Sequence, residues 1–225
     1  MLTIEDESEI LKSEYPMIVP VLIDEYDGDY EIEAYHGVEK TAEEFHSLFW
    51  GHFFTEKAID WLDLHLRDYV ESLGYLRECT GKYRWYDRYE ATDVNSLTSD
   101  LILPSTSMLC EGEYEFLVSF SLAEQLSKGL QSFVTLIDNK VVSIATVNEH
   151  DNEQKMLEIT VETAPEYRNN GYGLSNTVAL AKYLIENGYA AAYACSRYNR
   201  ASQAIAKKAG FRKNGRFYAY TAYKL

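Results

Sequence analysis

Ala164–Asn176, APEYRNNGYGLSN, puts an arginine and two glycines immediately ahead of an apolar pattern at helical spacing. Gly171 and Gly173 permit positive backbone dihedrals and close approach of a ligand to the main chain. The amides of Asn169 through Leu174 can then point into one concavity. They are also the unpaired donors of the helix that follows, where the macrodipole favours an anion. A pyrophosphate satisfies both conditions, and so does a plain turn that starts a helix. Two other phosphate loops fail on chemistry. A Walker loop needs a lysine and a hydroxyl after its last glycine, where Leu174 and Ser175 stand. The Rossmann fingerprint needs a third glycine or alanine where this chain has Asn176, and a suitable acid about twenty residues on is missing.

Upstream of the loop, KMLEITVET reads as a strand with Leu157, Ile159 and Val161 on one face and Glu158, Thr160 and Glu162 on the other. Before it, SFVTLID and VVSIATVN read as a hairpin about a tight turn at Asn139 and Lys140. RYEATDV reads as another strand, and SLAEQLSKGL as a short helix capped by Ser121 with Glu124 in the capping-box position. Downstream come a helix ended by Gly188, a small-residue strand AAAYAC, a helix NRASQAIAKKAG and an aromatic strand RFYAYTAYKL. The order is mixed α/β. In the N-terminal part, Thr41 with Glu44 predicts a capping box, Gly51 divides two helices and Gly74 ends the second. His46, His52 and His65 do not fit the i, i+4 spacing of a helical metal site, and no metal site is expected.

The 225 residues carry a net charge of -15, which argues against a general nucleic-acid binder. The tail from Arg197 onward has no acid; its cations balance the acidic half or serve an anionic ligand. Cys79, Cys110 and Cys195 form no CxxC pair, so they read as unbridged thiols. No apolar run of about 18 residues suggests a membrane span, and the acidic N-terminus does not resemble a secretory signal. A cytoplasmic protein is expected.

RNNGYG, Arg168–Gly173, between the strand LEITVET and a helix, resembles the RxxGxG/A acetyl-CoA loop of the GNAT acyltransferases. A second segment, CSRYNRASQAIAKKAGF, Cys195–Phe211, is similar to that family's strand, asparagine, helix and terminal GF. The resemblance covers roughly Lys82–Leu225 and implies a GNAT fold: a mixed central sheet splayed between two parallel strands, with helices on both faces and an N-terminal α-rich extension. The expected division is an extension over 1–81, as an acceptor-side cover or dimer contact, and an acetyltransferase domain over 82–225. The segment before Lys82 is rich in aromatic residues, which burial explains as well as an interface does.

The family further implies acetyl-CoA as co-substrate. Backbone groups of Val161, Glu162 and Thr163 would pair with its pantetheine arm, and Asn169, Asn170, Gly171, Tyr172, Gly173 and Leu174 would hold its pyrophosphate. Arg168 would bind phosphate or brace the loop. Asn199 would touch pantetheine or cap its helix, with Ser202 close by. Direct transfer in a ternary complex needs a base, for which Glu162 and Glu158 are the candidates, and it needs no acyl-enzyme cysteine. The tyrosine common in relatives seven residues after the asparagine is Ala206 here, leaving Tyr198, Tyr193, Ser202, Tyr218 or Tyr220 as acids, Tyr198 foremost, or a proton from solvent. The acceptor would be an amine of a small molecule or protein. The alternatives are a catalytically weak acetyl-CoA-binding regulatory module and a transferase of another acyl group.

Overall fold

The computed structural model describes residues 2–5, 17–35, 37–77, 85–120, 131–151 and 155–224. The chain forms two compact units, Met1–Asp87 with Ser196–Tyr198 and Asn214–Leu225, and Arg88–Cys195 with Asn199–Lys213.

In the first unit β1 (Leu2–Glu5), β3 (Asp29–Tyr35), β2 (Met17–Tyr26) and β12 (Arg212–Lys224) lie in that order, and β4 (Tyr75–Arg77) also pairs with β12. Helices α1 (Glu39–Phe49) and α2 (Glu56–Ser72) supply Phe45, Leu62 and Leu66 to a core shared with Ile23, Ile32, Tyr218 and Tyr220. Neither β2 nor β3 is among the elements predicted from sequence. The DG pair between them was the available signal: Asp27 (φ 47°) and Gly28 (φ 93°) turn the hairpin, with Tyr26 opposite Asp29. What hides β2 is Pro20, and the register slips there: Val21 faces Tyr220, yet Ile18 faces Ala222. Such a bulge tolerates a residue without an N–H.

The predicted division of the helices holds, with Gly51 (φ 73°) between them and Gly74 (φ 81°) after the second. The predicted capping box does not. Helix α1 starts at Glu39, whose carboxylate accepts the Gly37 N–H at 2.6 Å, so Thr41 already lies inside the helix. Thr55 instead caps α2, accepting the Ala58 N–H at 3.2 Å.

The second unit contains most of β5 (Trp85–Ala91) and a path of neighbouring strands: β11 (Ala190–Ser196), β10 (Met156–Thr163), β9 (Lys140–Asp151), β8 (Ser132–Ile137) and β6 (Thr106–Met108). A two-residue strand, β7 (Glu115–Phe116), runs parallel to β9. The β8–β9 hairpin turns on Asp138 and Asn139, both at positive φ, one residue earlier than predicted. RYEATDV also ends early: Asp93 accepts the Asn95 N–H at 2.9 Å and starts a 3-10 turn at Val94. Helix α3 (Tyr172–Glu186) packs on β8, β9 and β10 and against α4 (Arg200–Ala209). Their shared core includes Leu157, Ile159, Leu180, Leu184, Tyr193 and Phe211. Val134, Val141 and Ile144 form a separate cluster with Val118 and Ala164. The helix predicted over Ser121–Leu130 lies outside the described residues. The α/β class and mixed sheet are as predicted.

Candidate functional site

Strand β10 is the centre of the site. It runs parallel to β11 for only three pairs, Met156 with Ala190, Leu157 with Ala191 and Glu158 with Ala192. On its other edge it stays antiparallel to β9 as far as Thr163 opposite Ser143. Where the parallel pairing stops, the β9 register slips, from Leu157 facing His150 to Ile159 facing Val147. The extra residue of this bulge lies on β9, and beyond it Ile159–Thr163 offers one backbone edge that β11 does not pair. An extended ligand can add to such an edge as another strand would.

The glycine loop is packed against that same strand end. A Cβ on Gly173 would stand 3.1 Å from Thr163 Oγ1 and 3.4 Å from Val161 Cγ2, so the glycine lets the helix start sit close against the strand without displacing these side chains. Gly171 (φ 81°) is the N-cap of α3 and gives no side-chain cap, and the first turn holds no acid. The first intrahelical bond is Ser175 N–H to the Gly171 carbonyl at 2.9 Å. A helix start with no side-chain cap, against an unpaired strand edge, fits an anionic group joined to an extended arm.

The loop's polar side chains hold the loop itself. Arg168 Nε donates to the Thr163 carbonyl at 3.1 Å, tying the loop to the end of β10. Asn170 Nδ2 donates to the carbonyls of Tyr167 at 3.1 Å and Arg168 at 3.3 Å, while Asn169 adopts φ 65°. Behind the loop Ser175, Asn176 and Thr177 are fully buried. Ser175 Oγ accepts the Leu103 N–H at 2.8 Å and meets Thr106 Oγ1 at 2.6 Å. Asn176 Oδ1 accepts the hydroxyls of Thr106 at 3.0 Å and Thr135 at 3.1 Å. Thr177 donates to the Gly173 carbonyl at 2.8 Å. Sequence reasoning had no role for Thr106 or Thr135, which lie some 70 and 41 residues from Asn176 in the chain.

Asn199 is the N-cap of α4, accepting the Ser202 N–H at 3.1 Å. The Ser202 hydroxyl is hydrogen-bonded to Tyr193, which projects from β11 into the core. Burial pushes the Tyr193 phenol up to about 12, and its bond to Ser202 offsets this only in part. Ala206 is fully buried in the same cluster. Cys195 is likewise a buried core residue.

On β10, Glu158 belongs to the last parallel pair, and Glu162 lies on the unpaired stretch. Glu162 Oε2 accepts two bonds from Ser119, one from its N–H at 3.1 Å and one from its hydroxyl. Tyr198 is exposed, and its N–H donates to Ser196 Oγ at 3.3 Å. Two of the tail cations already have aromatic partners in the first unit, Arg197 over Trp85 and Arg216 over Phe54, the latter also paired with Glu25. Among the described residues no cluster of three His, Cys, Asp or Glu side chains is placed to hold a metal, and no helix is long and apolar enough to cross a membrane.

No curated protein matches the chain. Solved structures do. One is a Novosphingobium aromaticivorans protein assigned as an acetyltransferase of the GNAT family: 16% identity, TM-score 0.48, covering 63% of this chain and 65% of that one. Another is a GCN5-related N-acetyltransferase-like protein from Streptococcus suis, at 21% identity and TM-score 0.45, covering 73% and 67%. A GNAT-family acetyltransferase from Colwellia psychrerythraea matches at 14% identity and TM-score 0.46, covering 86% and 76%. The chain thus spans just under two thirds of the first of these relatives. The family model for GNAT acetyltransferases matches residues 94–223, which include the splayed strands, the glycine loop and the Asn199 helix. With more than half of its length so matched, the chain belongs to the GNAT acetyltransferase family.

Proposed function

We propose that this protein is an acetyl-CoA-dependent N-acetyltransferase that passes acetyl directly to an amine of a small molecule or protein in a ternary complex. The observation that carries the reading is the coincidence at β10. The strand loses its β11 partner after Glu158, and the Gly171–Gly173 helix start packs on one face of the stretch so released. In this reading backbone groups of Val161, Glu162 and Thr163 pair with the pantetheine amides, and the amides of Asn169–Leu174 hold the pyrophosphate. Asn199 and Ser202 flank the arm, and Arg168 stiffens the loop rather than meeting phosphate.

Strand alternation separates the two substrates. Val161 and Thr163 face Gly173, whereas Glu158, Thr160 and Glu162 project from the opposite face, so donor and acceptor have separate approaches. Glu162 takes a proton from the acceptor ammonium, with Glu158 as the second candidate. The neutral amine attacks the thioester carbonyl, the C–N bond forms, the nitrogen sheds its surplus proton to solvent and the C–S bond breaks. The departing thiolate takes a proton, for which exposed Tyr198 is the proposed donor. No metal is needed, and the expected compartment is the cytoplasm. The segment before residue 82 is assigned to covering the acceptor or to a dimer contact, between which a solution mass measurement decides.

A second reading, an acetyl-CoA-binding module with little catalysis, is favoured by Ala206 at the position where relatives carry a tyrosine. An acceptor screen following CoA release, with acetyl-CoA affinity measured in parallel, tests both. Amine-dependent release supports the transferase; binding with only amine-independent hydrolysis supports the module; absence of binding defeats both.

A further inference from the structure

Ser119 lies 43 residues before Glu162, on a short strap that is firmly fastened. β7 pairs Glu115 with Lys140 and Phe116 with Val141, and the Leu117 N–H donates to the Val141 carbonyl at 3.0 Å. The Glu115 carboxylate meets the Lys140 ammonium at 2.9 Å. Val118 is buried in the cluster that includes Val141, Ile144 and Ala164, one residue beyond the end of β10. The next residue then directs both its N–H and its hydroxyl at one oxygen of the Glu162 carboxylate.

This arrangement does more than fasten a loop. A glutamate at a strand end has three side-chain torsions, and two donors from one rigid residue remove most of that freedom. They converge on Oε2 and leave Oε1 for another donor. We infer that Ser119 is a positioning residue for acetyl transfer: it presents Glu162 Oε1, beside the unpaired edge of β10, to the ammonium of the acceptor. The inference rests on the reading of Glu162 as the base. It assigns Ser119 no contact with the acetyl donor, whose proposed loop lies on the other face of the strand.

The test uses the full chain and the variants Ser119→Ala, Ser119→Thr and Glu162→Gln, each also checked for melting temperature and acetyl-CoA affinity. Ser119→Ala keeps the N–H bond and loses the hydroxyl, and is expected to lower kcat about tenfold with acetyl-CoA affinity unchanged. Ser119→Thr, which restores a hydroxyl, is expected to recover most of the loss. In a Glu162→Gln background Ser119→Ala should add little, because the group it orients is gone. An equal loss in both backgrounds, or no loss in the wild-type background, overturns the positioning role. If Glu162→Gln itself turns over normally, the assignment of the base fails and Ser119 falls with it. If Glu162→Gln is slow and Ser119→Ala is not, the base stands and only this inference fails. A wild-type protein that transfers to no amine defeats the transferase reading and this one together.

Discussion

Gly210 ends α4 at φ 98°, and a Cβ built there would stand 2.0 Å from the Ser96 carbonyl oxygen. The obstacle is main chain on both sides, so Gly210→Ala should cost more than about 3 kcal/mol, read as a large fall in melting temperature. Gly171 has a similar dihedral but open space, its nearest neighbour being Leu103 Cδ1 at 4.0 Å. Gly171→Ala should therefore cost only about 1–2 kcal/mol, the left-handed penalty alone. Tyr193 gives a pH-dependent counterpart. Its folded-state pKa of about 12 exceeds the ordinary 10, so the unfolded chain releases this proton first as pH rises. The contribution is complete below pH 10 and is lost between 10 and about 12, up to about 2–3 kcal/mol for this one group. Tyr193→Phe should flatten that part of the stability curve in denaturant titrations; an unchanged alkaline slope would show that the phenol is not held neutral by burial.

At the scale of elements, the start of α3 is fixed from behind by Asn176. Asn176→Ala would leave the buried Thr135 hydroxyl without its acceptor and Thr106 with Ser175 alone, and cost about 2–4 kcal/mol in chemical denaturation. Acetyl-CoA affinity should fall with it, because the helix start would lose its anchor to β6 and β8. A variant that is destabilised but binds normally would separate the loop's geometry from this network. The same element shows what a sequence can and cannot disclose. The alternation of LEITVET and the RNNGYG turn are local, and both are legible by period and by glycine. The buried state of Ser175, Asn176 and Thr177 is not, since polar residues at a helix start read equally well as solvent-facing. The end of the β10–β11 pairing coincides with a bulge opposite Glu158, and the Ser119 clasp joins distant segments. Neither leaves a mark in spacing. Asn199 was legible as a helix cap, and its side-chain oxygen accepts the Ser202 N–H as expected.

At the scale of the whole chain, the order of residues and the order of packing part company at the C-terminus. β12 takes Gly215–Tyr223 alongside β2, and Ala222–Lys224 alongside β4, strands that precede residue 82. Tyr218 and Tyr220 are almost wholly buried in a core whose other large members, among them Phe45, Phe53 and Leu62, also come from that segment. The function proposed for 82–225 therefore needs residues 1–81 for a reason independent of any acceptor. A fragment beginning at residue 82 would expose both tyrosines, at on the order of 2 kcal/mol each, and would leave β12 without β2 along most of its length. Such a fragment should be insoluble or lack a cooperative thermal transition, whereas the full chain should melt cooperatively. Adding a separately expressed 1–81 segment should recover soluble material if the strand register is what is missing. A soluble, cooperatively folding 82–225 that binds acetyl-CoA as the full chain does would refute this dependence. It would also free the N-terminal segment for a role confined to the acceptor or a dimer contact.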